Sequence, residues 1–385
     1  MIHLWKKNVI PLIAFLLLLP LAGCFGRPGY ETIVISGTES EQEISEPGSP
    51  FQVQTIFRLP DTLDNRTELL GWLNEEDLAG LLPDDGGQAD EQGKRANLLQ
   101  RLAPPYETPA SLARAAEYAP GMLKLSTNGQ WLAGLAGKEL TLTAMENQDV
   151  RHIAVPLSPS QEISSRTLRW SANNRYVSFM ALENGNNQAW IMVYDRMEGE
   201  LQPIPIIKGN SVIKQPSSVL LSDDGNHALI DDGTKVFMAK RNETEFEVQY
   251  DHASGGADSV WVDDDRFLFL GQDGTLYQYD DRNRDLSILL EKVGLFRLSS
   301  DRKSIVYTQL DKESVFAGKL QGNNIIYPKS VYQGVIPDRL IWNRGGGALL
   351  IDGSKWYAPS DQSVPMPVPP ESGEGQRQTL VVIFR

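Results

Sequence analysis

One hairpin pattern recurs seven times along this chain, and no other feature restricts the possible fold so tightly. Its clearest copy runs from Val219 to Gly233: an apolar strand, the polar turn Leu221-Ser222-Asp223-Asp224-Gly225-Asn226, and a returning strand through Ala228 and Ile230. Aligned on one anchor position, the copies place Trp72, Leu125, Trp170, Leu221, Trp261, Leu298 and Trp342 in register. Two residues before the anchor stand Leu70, Leu123, Leu168, Val219, Ser259, Phe296 and Leu340. Seven residues after it stand Ala79, Leu132, Val177, Ala228, Leu268, Ile305 and Leu349. Apolar residues two apart on both sides of a turn are the period of half-buried strands. The turns carry Asn, Asp and Gly, as in Thr127-Asn128-Gly129 and Asp223-Asp224-Gly225, and these residues accept the positive φ that tight hairpins demand.

The anchors lie between 37 residues apart (Trp261 to Leu298) and 53 apart (Trp72 to Leu125). Each interval leaves room for further strands, such as Trp190–Asp195, Val236–Lys240 with Phe246–Tyr250, and Thr275–Asp280 with Leu286–Leu290. Four short strands per ~45 residues, repeated, predict an all-β chain folded as a β-propeller of four-stranded antiparallel blades. One such sheet cannot bury both faces, so neighbours stacked around an axis must supply the core. The anchor count predicts seven blades, or six if Leu70–Leu82 is only an edge hairpin. Either Phe51–Arg58 or Thr379–Arg385 can add the outermost strand that closes the ring and removes an exposed edge.

The N-terminus reads as an address. Lys6 and Lys7 precede an apolar run from Val9 to Leu19 that ends in Leu21-Ala22-Gly23-Cys24. A basic start, a short apolar stretch and small residues before a cleavage point describe a secretory signal peptide over 1–23. The run is shorter than the ~20 residues of an ordinary membrane-spanning helix. Leu-Ala-Gly-Cys also resembles the lipobox of bacterial lipoproteins. That resemblance implies cleavage between Gly23 and Cys24, diacylglycerol on the Cys24 thiol, and acylation (palmitate, for example) of the new amine. Residues 24–50, rich in Gly, Ser, Glu, Thr and Pro, then form a lipidated flexible tether. The folded body is a single domain over 51–385. The expected location is the outer face of the cell membrane, or the outer membrane if the cell has one, since Phe25 rather than Asp follows Cys24.

The hairpin Arg169-Trp170-Ser171-Ala172-Asn173-Asn174-Arg175-Tyr176-Val177-Ser178-Phe179, followed by Trp190–Asp195, is similar to the repeat of TolB-type, WD40-like propellers. The likeness covers roughly residues 60–360, and no copy has the proline of that family's turn. Together with the lipobox, the chain resembles the YqgU-like propeller lipoproteins of Gram-positive bacteria. Two stretches stand outside the repeat. Residues 83–121 read as an irregular insertion, in which Thr108 caps a short helix that starts at Pro109 and reaches about Tyr118. Pro365 to Gln376 reads as a spacer.

Chemistry is sparse. Cys24 is the only cysteine, so no intramolecular disulfide forms, and His152, His227 and His252 are far apart. No Gly-x-Ser-x-Gly elbow, phosphate loop or zinc-ligand spacing occurs. Asp263-Asp264-Asp265 and Asp231-Asp232-Gly233 fall in hairpin turns and read as turn residues. Asp281-Arg282-Asn283-Arg284-Asp285 starts like a calcium loop but lacks its glycine, and Lys292 stands where the bidentate Glu belongs. The anchor slot, shared by Trp and Leu, reads as core. No catalytic residue, cofactor or metal is expected. A net charge of −14 without a Lys/Arg cluster argues against nucleic acid. The expected role is a non-catalytic binding or scaffolding module, with the membrane as one partner through Cys24 and an envelope protein, peptide or glycan as the other. A calcium-dependent propeller hydrolase or lactonase, and a solute-capturing receptor lipoprotein, are the alternatives.

Overall fold

The computed structural model describes residues 50–60, 67–83, 97–113, 121–183, 188–207, 213, 216–256, 259–310, 313–355 and 376–385. The chain divides into units of residues 1–32 and 33–385, and every described residue belongs to the second. The signal segment, Gly23, Cys24 and the tether up to residue 49 lie outside the described residues, as do Asp84–Lys94 and nearly all of the expected spacer.

Among the described residues every regular element is a strand. The first full sheet is β2 (Glu68–Trp72), β3 (Leu78–Pro83), β4 (Asn97–Leu102) and β5 (Pro109–Ala113) in that order. The next is β6 (Leu123–Leu125), β7 (Trp131–Ala136), β8 (Glu139–Ala144) and β9 (Val150–Ala154). Then come β10 (Gln161–Trp170), β11 (Tyr176–Glu183), β12 (Ala189–Asp195) and β13 (Glu200–Ile207). They share one eight-stranded sheet with β14 (Ser218–Leu221), β15 (His227–Asp231), β16 (Lys235–Arg241) and β17 (Phe246–Ala253). Four-stranded sheets follow from β18 (Val260–Trp261), β19 (Arg266–Leu270), β20 (Leu276–Asp280) and β21 (Asp285–Leu290), and from β22 (Val293–Leu298), β23 (Ser304–Gln309), β24 (Ser314–Gln321) and β25 (Asn324–Gln333). The last sheet runs β26 (Ile336–Trp342), β27 (Ala348–Lys355), β28 (Gln376–Phe384) and, outermost, β1 (Val53–Arg58). Both strands considered for closing the ring therefore enter this sheet, paired antiparallel from Val53↔Phe384 to Arg58↔Leu380.

Every anchor ends the first strand of its hairpin, and the buried clusters lie between neighbouring sheets or between the two halves of the eight-stranded one. Leu229, Val236 and Met238 of β15 and β16 pack on Trp261, Phe267 and Phe269, for example. Leu69, Trp72 and Leu78 of the first sheet pack on Ala348, Leu350 and Val381 of the last, which closes the circle. Each fully buried Leu or Phe contributes about 1.5–3 kcal/mol, so the stacking of sheets, not any single sheet, holds the fold.

Three expectations are corrected. Seven separate blades were expected, but five four-stranded blades stand alone and two of the expected copies share the eight-stranded sheet. Its halves β10–β13 and β14–β17 join because β13 pairs parallel with β17 at Ile206↔Phe246 and Ile207↔Glu247, which occupies two outer edges at once. The six-blade alternative fails as well, because Leu70–Leu82 is the inner half of a complete sheet rather than an edge hairpin. Finally, the expected helix from Thr108-Pro109 is a strand over its described residues, and the supposed insertion holds β4 and β5. The outer edge of β4 needs a hydrogen-bonding partner. Pro109 supplies it opposite Leu102, at the first residue of an outermost strand, where a missing N–H is tolerated.

Candidate functional site

The turns that follow the anchors form a collar at one end of the ring, and a single local device builds most of it. The residue after the anchor is Ser126, Ser171, Ser222 or Ser299 in four copies, each nearly or fully buried. Its hydroxyl donates to a side-chain oxygen two residues on: Asn128 at 2.7 Å, Asn173 at 2.7 Å, Asp224 at 2.5 Å and Asp301 at 2.6 Å. The same hydroxyl accepts the N–H that opens the returning strand, from Trp131, Tyr176, His227 and Ser304 at 2.9–3.0 Å. Asn343 does this work with its amide oxygen, accepting from the Ala348 N–H at 2.9 Å. Four residues after the anchor the chain is left-handed, at Gly129, Asn174, Gly225, Arg302 and Gly346. For Asp224 and Asp301, burial pushes the carboxyl pKa up. Donation from Ser222 and Asn226 to the one, and from Ser299 and the Lys303 N–H to the other, outweighs it and holds both below the usual carboxylate range.

Neighbouring turns are tied together. Asn174 accepts from the Thr127 N–H at 2.7 Å, Asp223 from the Asn173 N–H at 2.8 Å, Asp264 from the Asp224 N–H at 3.2 Å, and Glu75 from the Gly345 N–H at 2.9 Å. The anchor tryptophans add a second set of ties. Trp72, Trp170, Trp261 and Trp342 are buried, as a core slot requires. Their Nε1–H groups donate to the carbonyls of Ile341, Lys124, Leu220 and Arg297 at 3.0, 2.9, 3.0 and 3.4 Å. In every case the acceptor is the residue just before the preceding anchor. The indole is thus both core filler and sheet-to-sheet latch, and Trp72 to Ile341 latches the first sheet to the last.

Inside the collar lies an axial cavity of about 250 Å³. Leu70, Leu340 and Trp342 supply apolar wall, Ser299 and Ser300 are polar lining, and Arg297 and Arg302 are the charged residues that line it. Arg302 reaches across the intervening hairpin to Asp223, 2.5 Å away, with its side chain 16% exposed. A more open hollow of about 610 Å³ lies between the β2–β5 and β6–β9 sheets, beside Trp131. Arg151 and Arg196 stand 5.7 and 5.3 Å from that indole ring.

The acidic runs found in the sequence do turn work. Asp263 accepts from the N–H groups of Asp265 and Arg266, and Asp232 from those of Thr234 and Lys235. Arg282 folds back on Asp280 at the head of the run that starts like a calcium loop. Among the described residues no group of three or more His, Cys, Asp or Glu is placed to hold a metal ion. Sequence reasoning missed the two arginines at the axis and the indole donors. The serine after the anchor, present in four copies, was a visible signal for the collar.

No protein-family model matches the chain, and no curated protein matches its sequence. Solved structures do match. An oligogalacturonate lyase in complex with manganese is 9% identical with a TM-score of 0.57, over 93% of this chain and 96% of that one. A chain of the mitotic checkpoint complex is 13% identical with a TM-score of 0.52, over 90% and 97%. The C-terminal WD40 domain of Sif2 is 15% identical with a TM-score of 0.47, over 83% and 97%. At these identities the likeness is one of fold, and the class is the β-propeller.

Proposed function

We propose that this chain is a lipid-anchored extracytoplasmic propeller of the bacterial envelope, of the YqgU-like kind, acting as a non-catalytic binding or scaffolding module. The lipid sits on Cys24, at the head of a tether that ends at residue 50. The observation that carries the reading is how the tether joins the ring. Phe51, the first residue after it, is buried, with its ring 5.9 Å from Trp342 and 5.7 Å from Phe384. The Arg385 N–H donates to the Gln52 carbonyl at 2.9 Å. Mooring and ring closure therefore share one strand, so a load on the tether passes directly into a closed disc. A fixed disc suits presentation of a surface to a partner protein, peptide or glycan, and a propeller of the same fold occurs within the multiprotein checkpoint complex.

Crosslinking in intact cells tests this reading. A defined partner captured by the parent chain, and lost from the membrane fraction with Cys24→Ser, is the expected result. Recovery of the parent chain from the soluble fraction with no captured partner refutes it. The second reading, an enzyme, is favoured by the fold likeness to the oligogalacturonate lyase. Turnover of an acidic oligosaccharide by the purified chain would install it instead.

A further inference from the structure

We infer that the axial cavity binds a small organic anion, a carboxylate or phosphate monoester with an apolar body, held by the guanidinia of Arg297 and Arg302. This goes beyond a scaffolding role and rests neither on the lipid nor on a protein partner. The cavity's charged lining is two arginines and no acid, in a chain whose net charge is −14. The position just before the anchor carries Lys124, Arg169 and Arg297 in three copies and Gly71, Leu220, Val260 and Ile341 in the rest, never an acid. Gly71, Val260, Arg297 and Ile341 of that set line the cavity.

Arg302 adds an independent observation. It holds φ 58° at the turn position where Gly129, Asn174, Gly225 and Gly346 stand in other copies. A left-handed arginine is a strained backbone that persists only where the surrounding structure fixes it. The place here is the cavity mouth, against Asp223. A guanidinium has five donors, so Arg302 can keep Asp223, and Arg297 its bond to the Phe296 carbonyl at 2.8 Å, while each offers further donors to an oxyanion. Ser300 adds a hydroxyl, while Leu70, Leu340 and Trp342 wall the space an apolar body would fill. The volume is ample for one ring, since ~150 Å³ is enough for a benzene-sized guest.

Calorimetric titration of the purified full-length protein with phenyl phosphate and with benzoate tests the proposal, with benzylamine as the cationic counterpart. At least one anion should bind saturably and more weakly as salt rises, and benzylamine should not bind. Which anion binds tighter separates the phosphate from the carboxylate source. Arg297→Gln should weaken binding by about 10-fold or more, the loss of one hydrogen bond to a charged group, and Arg297→Lys should retain part of it. Ser300→Asp leaves both arginines in place, puts an acid in the lining, and should abolish binding. Absence of saturable binding by either anion overturns the proposal. So does binding unchanged in both Arg297→Gln and Ser300→Asp, or equal binding of benzylamine.

Discussion

Replacing Ser171 by alanine separates the collar's buried bonds from its exposed ones. The Ser171 hydroxyl makes two bonds, donating to Asn173 Oδ1 at 2.7 Å and accepting from the Tyr176 N–H at 2.9 Å. Their losses differ. Asn173 Oδ1 keeps the Arg175 N–H at 3.0 Å and lies at the surface. The Tyr176 amide sits in a buried pair with Ser171, which is fully buried, so alanine leaves a donor that water does not reach. An orphaned buried donor costs about 1–3 kcal/mol, while an exposed side-chain bond contributes about 0.5–1.5 kcal/mol net. Ser171→Ala should therefore lower the urea midpoint with an unchanged m value, by an amount equivalent to about 1–3 kcal/mol. Far-UV circular dichroism is the suitable probe. If Ser171→Ala leaves the midpoint unchanged, the claim that the buried hydroxyl organises the turn is wrong.

Phe51→Ala should cost about 3–5 kcal/mol for the lost ring. Phe51→Gly should be no worse, because φ at this position is 68° and glycine relieves it; a clear further loss with glycine contradicts the ring-closing geometry. His227 is buried with neither ring nitrogen bonded, at the position Phe267 fills in the next sheet. His227→Phe should thus stabilise the chain by about 1–3 kcal/mol, and a lower melting midpoint would refute that. Asp224 and Asp301 titrate below the usual carboxylate range. Their contribution is present above the unfolded value near pH ~4 and is lost as pH falls through the lower folded values. Asp224→Asn with Asp301→Asn should flatten the acid limb of the stability profile, and an unchanged limb argues against the assignment.

The ring was legible because alternation and turn chemistry repeat at the same offsets, as at Leu221 to Ile230 and Trp170 to Phe179. Thr108-Pro109 misled because a cap and a helix-starting proline are local signals. The need of β4 for an outer partner is a property of the sheet and overrode them. The joining of β13 to β17 rests on two residue pairs between strands with three others between them in the chain, and no local pattern encodes it. The axial site was hidden for a similar reason. Arg302 and Asp223 are 79 positions apart and meet only once the hairpins stand around one axis. The tryptophans were correctly read as core from sharing a slot with leucine, but that comparison is blind to what the indole N–H does.

The N-terminal peptide of the native protein tests the lipid anchor most directly. Mass spectrometry of that peptide, isolated from cell membranes, should show a chain that begins at Cys24 with diacylglycerol on its thiol. A peptide that begins upstream of Cys24, or one with an unmodified Cys24, contradicts it.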